Sequence, residues 1–273
     1  MDIFVKGVSF GYSKDNFVLK DLNLKLMAGS FTAVIGPNGS GKTTLLQLLA
    51  GLYKPTKGKI SYSLPSFSAL NKIGFAFQFP EEQFFLNTVF EELAFTFKNK
   101  GLVKKDSKLV EEISSFLKSL DIDISLLKKS PFSLSLGDMR LISFANVLVG
   151  NKVIILDEPT VSLDGKNKKN VIKLLLKLHE KYKITVIFSA HRLDEAISFA
   201  KECLILKDGR IIFKGSVKDI FLKKHPEIFD FLPKPKILSL KEKLALKFPV
   251  DLANAFTLED IVANLVSFQR RSN

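Results

Sequence analysis

Gly36-Pro37-Asn38-Gly39-Ser40-Gly41-Lys42-Thr43 fits the spacing G-x-x-x-x-G-K-[ST], which gathers several phosphate-binding groups into one short turn. Glycines let consecutive backbone N–H groups turn inward onto a β-phosphate, and the N-terminus of a following helix adds partial positive charge. Lys42 then reaches β- and γ-phosphate oxygens, and the Thr43 hydroxyl ligates Mg2+. A plain glycine turn needs neither lysine nor hydroxyl. The cradle is therefore expected at Gly36, Asn38, Gly39, Ser40, Gly41, Lys42, Thr43 and Thr44. More than a hundred residues later, Val153-Ile154-Ile155-Leu156-Asp157-Glu158 is an apolar run ending in two carboxylates. Alone, such a pair is more often a solvated turn. Beside a phosphate cradle, Asp157 would hold the Mg2+ shell and Glu158 would polarise an attacking water.

These residues need strands to bring them together, and the periodicity supplies them. Residues 31–35 read as a buried strand running into the glycine turn, and 43–52 as the helix that follows. Residues 3–5, 8–10 and 22–26 alternate like half-buried strands. From about 81 to 150 the helical period dominates, in 91–98, 108–120 and 139–148. Runs 153–156 and 185–188 are β-branched and apolar, separated by a helix over 166–182. Strands at 202–206 and 210–213 flank Asp208-Gly209, a hairpin turn. Buried strands joined through helices predict an α/β fold: a mainly parallel sheet with an antiparallel hairpin at each end.

In order and approximate spacing, the glycine loop, Gln78, Ser133-Leu134-Ser135-Leu136-Gly137-Asp138, Asp157-Glu158, Ser162-Leu163-Asp164 and His191 resemble an ATP-binding cassette (ABC) ATPase over about residues 1–230. Phe77-Gln78-Phe79-Pro80-Glu81-Glu82-Gln83-Phe84-Phe85 and the C-terminal helical extension are similar to the energy-coupling factor (ECF) transporter ATPases, which import vitamins and transition-metal ions. The resemblance implies a P-loop NTPase cassette over 1–230 with a helical subdomain inserted at about 81–150, and a helical extension over 231–273 that serves dimerisation. It implies ATP and Mg2+ as cofactors, with Gln78 joining Thr43 and Asp157 around the metal and the water. Tyr12 would stack on adenine, His191 would contact the γ-phosphate, and Asp164 would lie where two ATPase subunits meet. Ser135 and Gly137, in the signature, would face the partner's ATP.

The signature departs from the family's Leu-Ser-Gly-Gly-Gln at two of five positions, with Leu136 for the first glycine and Asp138 for the glutamine. A leucine beside a phosphate obstructs close backbone approach, and a carboxylate adds like charge. The same residues also have capping spacing, which suits a helix start without any ligand. The expectation is a heterodimer with a related ATPase, one composite site competent and one impaired.

Composition narrows the partners. Of 273 residues 46% are hydrophobic and 25% charged, which excludes a disordered chain. The longest stretch without a charge, residues 26–41, is too short and too polar for a bilayer span. No export signal is evident at the N-terminus, and one cysteine, Cys203, allows no internal disulfide. A formal charge of +13 calls for an anionic partner, yet only five of the 41 basic residues are arginine, unlike most sequence-reading nucleic-acid surfaces. The expected setting is the cytoplasmic face of the cell membrane, bound peripherally to an integral coupling subunit and a substrate-binding membrane subunit, with no nucleic acid. The Phe-rich stretch 75–85 is the expected contact with them. The alternative is a soluble ABC ATPase acting on nucleic acid or ribosomes. Such proteins insert long coiled coils or repeat the cassette, and this sequence shows neither.

Overall fold

Strands buried on one face and strands buried on both divide between two sheets. The computed structural model describes residues 1–272 except 14, 15, 104, 198, 199, 223, 224, 253, 254, 256 and 257. β1 (Ile3–Phe10) and β2 (Leu19–Leu26) bury alternate residues, whereas β3 (Phe31–Ile35) is buried at every position. Alternation suits a sheet with one wet face, and continuous burial suits a strand between two layers. Accordingly β1, β2 and β4 (Lys57–Tyr62) form a separate antiparallel sheet in the order β2-β1-β4. This corrects the expectation of antiparallel elements at both ends of one sheet: only the C-terminal hairpin joins the parallel strands.

The larger sheet has the order β5-β6-β7-β3-β8-β9, where β5 is Ile73–Ala76, β6 Val153–Leu156, β7 Thr185–Ala190, β8 Glu202–Lys207 and β9 Arg210–Ser216. All its pairings are parallel except β8 with β9. Asp208 and Gly209 between those two strands both take positive φ, as the tight hairpin requires. Side chains from the central strands alternate between two apolar layers. Val153 and Ile155 face α1 (Lys42–Leu49) and the antiparallel sheet. Ile154 and Leu156 face the other layer, which includes α5 (Leu136–Leu148) and α6 (Gly165–Tyr182).

A short helix, α2 (Ser66–Leu70), precedes β5. β5 and β6 pair in register from Ile73↔Val153 to Ala76↔Leu156, so the chain leaves the sheet after Ala76 and returns beside it at Val153. Between them lie α3 (Val89–Asn99), α4 (Leu109–Ser119) and α5. α3 begins with a capping box in which Thr88 Oγ1 accepts from Glu91 N and the Glu91 carboxylate accepts from Thr88 N. Gly74 in β5 has no room for a Cβ, which would collide with the Val147 carbonyl; glycine there lets α5 lie against the strand. After β7 come α7 (Leu193–Ile197), α8 (Val217–Phe221), α9 (Lys236–Ala245) and α10 (Leu258–Ser272). Ile237, Leu238, Leu252 and Ile261 from the last segment join the main apolar core. Among the described residues, no helix is long and apolar enough to cross a membrane.

Candidate functional site

Because β3, β5, β6 and β7 run parallel, their C-terminal ends lie along one edge, where ligands of open α/β sheets collect. Each strand delivers part of one site. β3 leads into the glycine loop, β5 into Gln78, β6 into Asp157 and Glu158, and β7 into His191. Lys42, Thr43, Gln78, Glu158 and His191 line one cleft of about 380 Å3.

Its hydrogen bonds form a single network. Thr43 Oγ1 donates to Asp157 Oδ2 at 2.8 Å, and Ser189 Oγ donates to Asp157 Oδ1 at 2.5 Å. Glu158 N donates to that same Ser189 oxygen at 2.8 Å. Gln78 Nε2 donates to Glu158 Oε2 at 2.9 Å, and His191 Nε2 meets Glu158 Oε1. Lys42 Nζ donates to the carbonyls of Gly36 and Pro37 at 3.0 and 3.1 Å and lies 3.4 Å from His191 Nδ1. An ammonium only donates, so His191 Nδ1 accepts and its Nε2–H donates to Glu158. Burial lowers the Lys42 pKa, while Glu158 and Asp157 oppose that shift. Glu158 sits in left-handed backbone with φ 46°, a conformation costing about 1–3 kcal/mol for a non-glycine residue. Extended strand would send neighbouring side chains to opposite faces; this turn lets both carboxylates serve the same edge.

The cradle fits a phosphate anion by what it offers. The α1 N-cap is Gly41, with φ 98°, no capping side chain, and no acid in the first turn, so its first N–H groups are open to an acceptor. Ser40 Oγ is buried and has no partner among the described residues. Gly39, also at positive φ, opens onto free space. For a metal, Thr43 Oγ1 and Asp157 Oδ2 present adjacent hard oxygens with the Gln78 side chain near. That set could hold Mg2+, which takes one or two protein oxygens and completes its shell with water and phosphate.

The sequence profile of the ABC transporter family matches residues 19–161, a stretch that holds the cradle and both carboxylates. The energy-coupling factor transporter ATP-binding protein EcfA2 of Bacillus subtilis (strain 168) is 35% identical over 263 residues, covering 92% of this chain and 95% of the relative. EcfA2 of Enterococcus faecalis (strain ATCC 700802 / V583) is 35% identical over 262 residues, covering 90% of each. This chain belongs to the ABC ATPases, among the ECF transporter ATP-binding proteins. Solved structures agree. CbiO1 from Clostridium perfringens, part of the ABC transporter complex cbiONQ, superposes with a TM-score of 0.74 at 30% identity, covering 88% of this chain and 98% of that one. The dimeric bacterial ABC transporter cassette MJ0796 gives 0.68 at 27% identity, covering 79% and 98%. The nucleotide is ATP and the activity is ATP hydrolysis.

Outside the cleft, the remaining expected residues take three positions in this ABC ATPase. Tyr12 is exposed and hydrogen-bonds through its hydroxyl to Thr44 Oγ1 at 3.1 Å, edge-on to Phe10 and Tyr53, so an aromatic face stands beside the cradle. Ser135 caps α5: its Oγ accepts from Asp138 N at 3.2 Å and donates its proton to Asp138 Oδ2 at 2.8 Å. Gly137 is buried under the Asn167 side chain, and Asp164 caps α6 by accepting from Asn167 N and Nδ2, both at 2.8 Å. Ser135, Gly137 and Asp164 do not line the cleft that holds Lys42.

Two corrections concern side chains. Within the Phe-rich stretch only Phe79 and Phe85 are exposed, at 49% and 63%; Phe84 is 6% exposed and belongs to the main apolar core. Ser189, the residue that joins Asp157 to Glu158, is absent from the residues expected on sequence grounds. Its only signal is a polar side chain near the end of an apolar strand, two residues before His191. Val18, which also lines the cleft, carries no signal in the sequence.

Proposed function

We propose that this ECF-type ATPase powers uptake of a vitamin or transition-metal ion as one half of an ATPase heterodimer. It would sit at the cytoplasmic face of the membrane on an integral coupling subunit and a substrate-binding membrane subunit. The observation that carries the reading is the Glu158 carboxylate, held from one side by Gln78 and from the other by His191, in the cleft that contains Lys42 and Thr43. Fixed from both sides, it has one direction in which to accept a proton from an attacking water. Lys42 and the α1 N-terminus would stabilise charge on the phosphates, with His191 beside Lys42. Thr43, Asp157 and Gln78 would hold Mg2+, which would supply positive charge against the negative charge developing on the transferred phosphate.

The degenerate half of the proposal rests on Ser135, Leu136 and Asp138. Asp138 holds the Ser135 hydroxyl proton, and Leu136 is 38% exposed where the family signature has a glycine. A captured hydroxyl cannot donate to a phosphate, and the carboxylate that captures it repels one. Support for membrane partners comes from the relatives, one named as part of a transporter complex, and from the exposed rings of Phe79 and Phe85.

The testing experiment is Glu158→Gln in the complex purified from native membranes. Mg-ATP binding stays within about threefold of the parent while turnover falls by at least about 10²-fold. Near-normal hydrolysis would mean that another group orients the water.

A further inference from the structure

Among the described residues Arg140 is the largest fully buried side chain, at 1% exposure, and no carboxylate pairs with it. Its guanidinium turns instead to two backbone carbonyls just beyond the end of β5. Nη1 donates to Gln78 O at 2.6 Å and to Phe77 O at 3.3 Å, while Nε is buried without a partner among the described residues. Burial lowers its pKa, with Glu81 and Glu158 opposing; the group stays charged at any working pH. A buried cation whose hydrogen-bond partners among the described residues are two backbone carbonyls is a poor stabiliser, since an apolar side chain of similar volume fills the space without the desolvation cost. Packing does not explain this arginine. Its bonds do: the carbonyl it grips belongs to Gln78, whose side chain holds Glu158 Oε2.

We propose that Arg140 is a positioning residue for ATP hydrolysis, fixing the backbone of Gln78 so that its amide holds Glu158 in the orientation that receives the proton. The proposal rests on the site reading above. It also gives α5 a mechanical part. Arg140 lies little more than one turn after the Ser135 cap, so a shift of the helix that bears the signature reaches Gln78 through a rigid fork rather than through a loose loop.

The test compares Arg140→Met, Arg140→Lys and Gln78→Ala, singly and combined, in the complex purified from native membranes. Turnover is counted per folded complex, and ATP affinity and melting temperature are measured separately. Displacement of a reacting group by about 1 Å costs up to about 10²-fold. Arg140→Met is therefore expected to lower kcat by about 10- to 100-fold with KM for ATP within about threefold, and Arg140→Lys to recover part of the loss. Because Arg140 acts through Gln78, adding Arg140→Met to Gln78→Ala should lower kcat by less than about twofold more. Unchanged kcat per folded complex in Arg140→Met and Arg140→Lys, even with a lower melting temperature, would overturn the proposal, and so would losses that multiply with Gln78→Ala. Should Arg140→Met fail to fold, Arg140→Lys alone and combined with Gln78→Ala decides by the same criteria. Glu158→Gln separates the two readings: if it abolishes turnover while the Arg140 variants do not, the site stands and only this inference falls.

Discussion

Ser189 joins two carboxylates that would otherwise be tied only to side chains on other elements. Its hydroxyl proton goes to Asp157 Oδ1 and its oxygen accepts the N–H of Glu158, so one buried side chain fixes both the Asp157 carboxylate and the turn that carries Glu158. Removing it leaves a buried N–H and a buried carboxylate oxygen short of a partner, at about 1–3 kcal/mol. Ser189→Ala should therefore lower the denaturation free energy by about that amount and reduce kcat by about tenfold or more, with a smaller change in ATP affinity. A variant that loses stability but keeps kcat per folded molecule would confine Ser189 to scaffolding. The residues of the cradle are legible in the sequence because their chemistry requires fixed spacing: Gly36 to Thr43 must follow a strand and start a helix. Ser189 and Arg140 are not, because both act through contacts made in three dimensions and neither belongs to a spaced motif. Arg140 in particular lies 62 positions from the carbonyl it holds.

At the scale of elements, the short loop after β5 shows how a segment can be exposed and yet fixed. Glu92 in α3, itself fully buried, accepts from Phe85 N and Leu86 N, and Ser143 in α5 bonds Gln83. Phe85 thereby stands out edge-on to Phe95 while Phe84 turns inward. Phe85→Asp should leave the fold intact and strip the membrane subunits during detergent co-purification, whereas Phe84→Asp should lower stability by several kcal/mol through a buried unpaired charge. Full retention of the membrane subunits by Phe85→Asp would remove this ring from the interface. The long helices are readable from their 3.6 period, and β3, β6 and β7 from continuous apolar runs. β4 and β5 escape such a reading. β4 is largely exposed, with no apolar alternation, and β5 has only four residues, one of them the glycine that α5 needs. The split of the antiparallel strands into their own sheet is equally hidden, because alternation tells which face is buried but not which neighbour covers it.

The whole molecule carries two unlike elements that, on the function proposed above, would meet ATP: the cradle at one sheet edge and, on α5, a signature whose serine donates to Asp138. If two copies of this chain met as the family's cassettes do, both composite sites would combine the cradle with the same signature, which the proposal reads as impaired. The isolated chain should therefore hydrolyse ATP slowly. Restoring the family's signature by Leu136→Gly with Asp138→Gln removes the exposed side chain and the carboxylate, and frees the Ser135 hydroxyl to donate. One preorganised donor to developing phosphate charge is worth on the order of 10²- to 10³-fold in rate. Steady-state hydrolysis by the purified chain should then rise by at least about 10²-fold and become cooperative in protein concentration. The glycine at 136 costs about 1 kcal/mol of helix propensity, so a rise cannot come from a more stable fold. Brisk, cooperative turnover by the parent chain, with no gain from the double substitution, would make the present signature competent and leave no reason to expect an unlike partner.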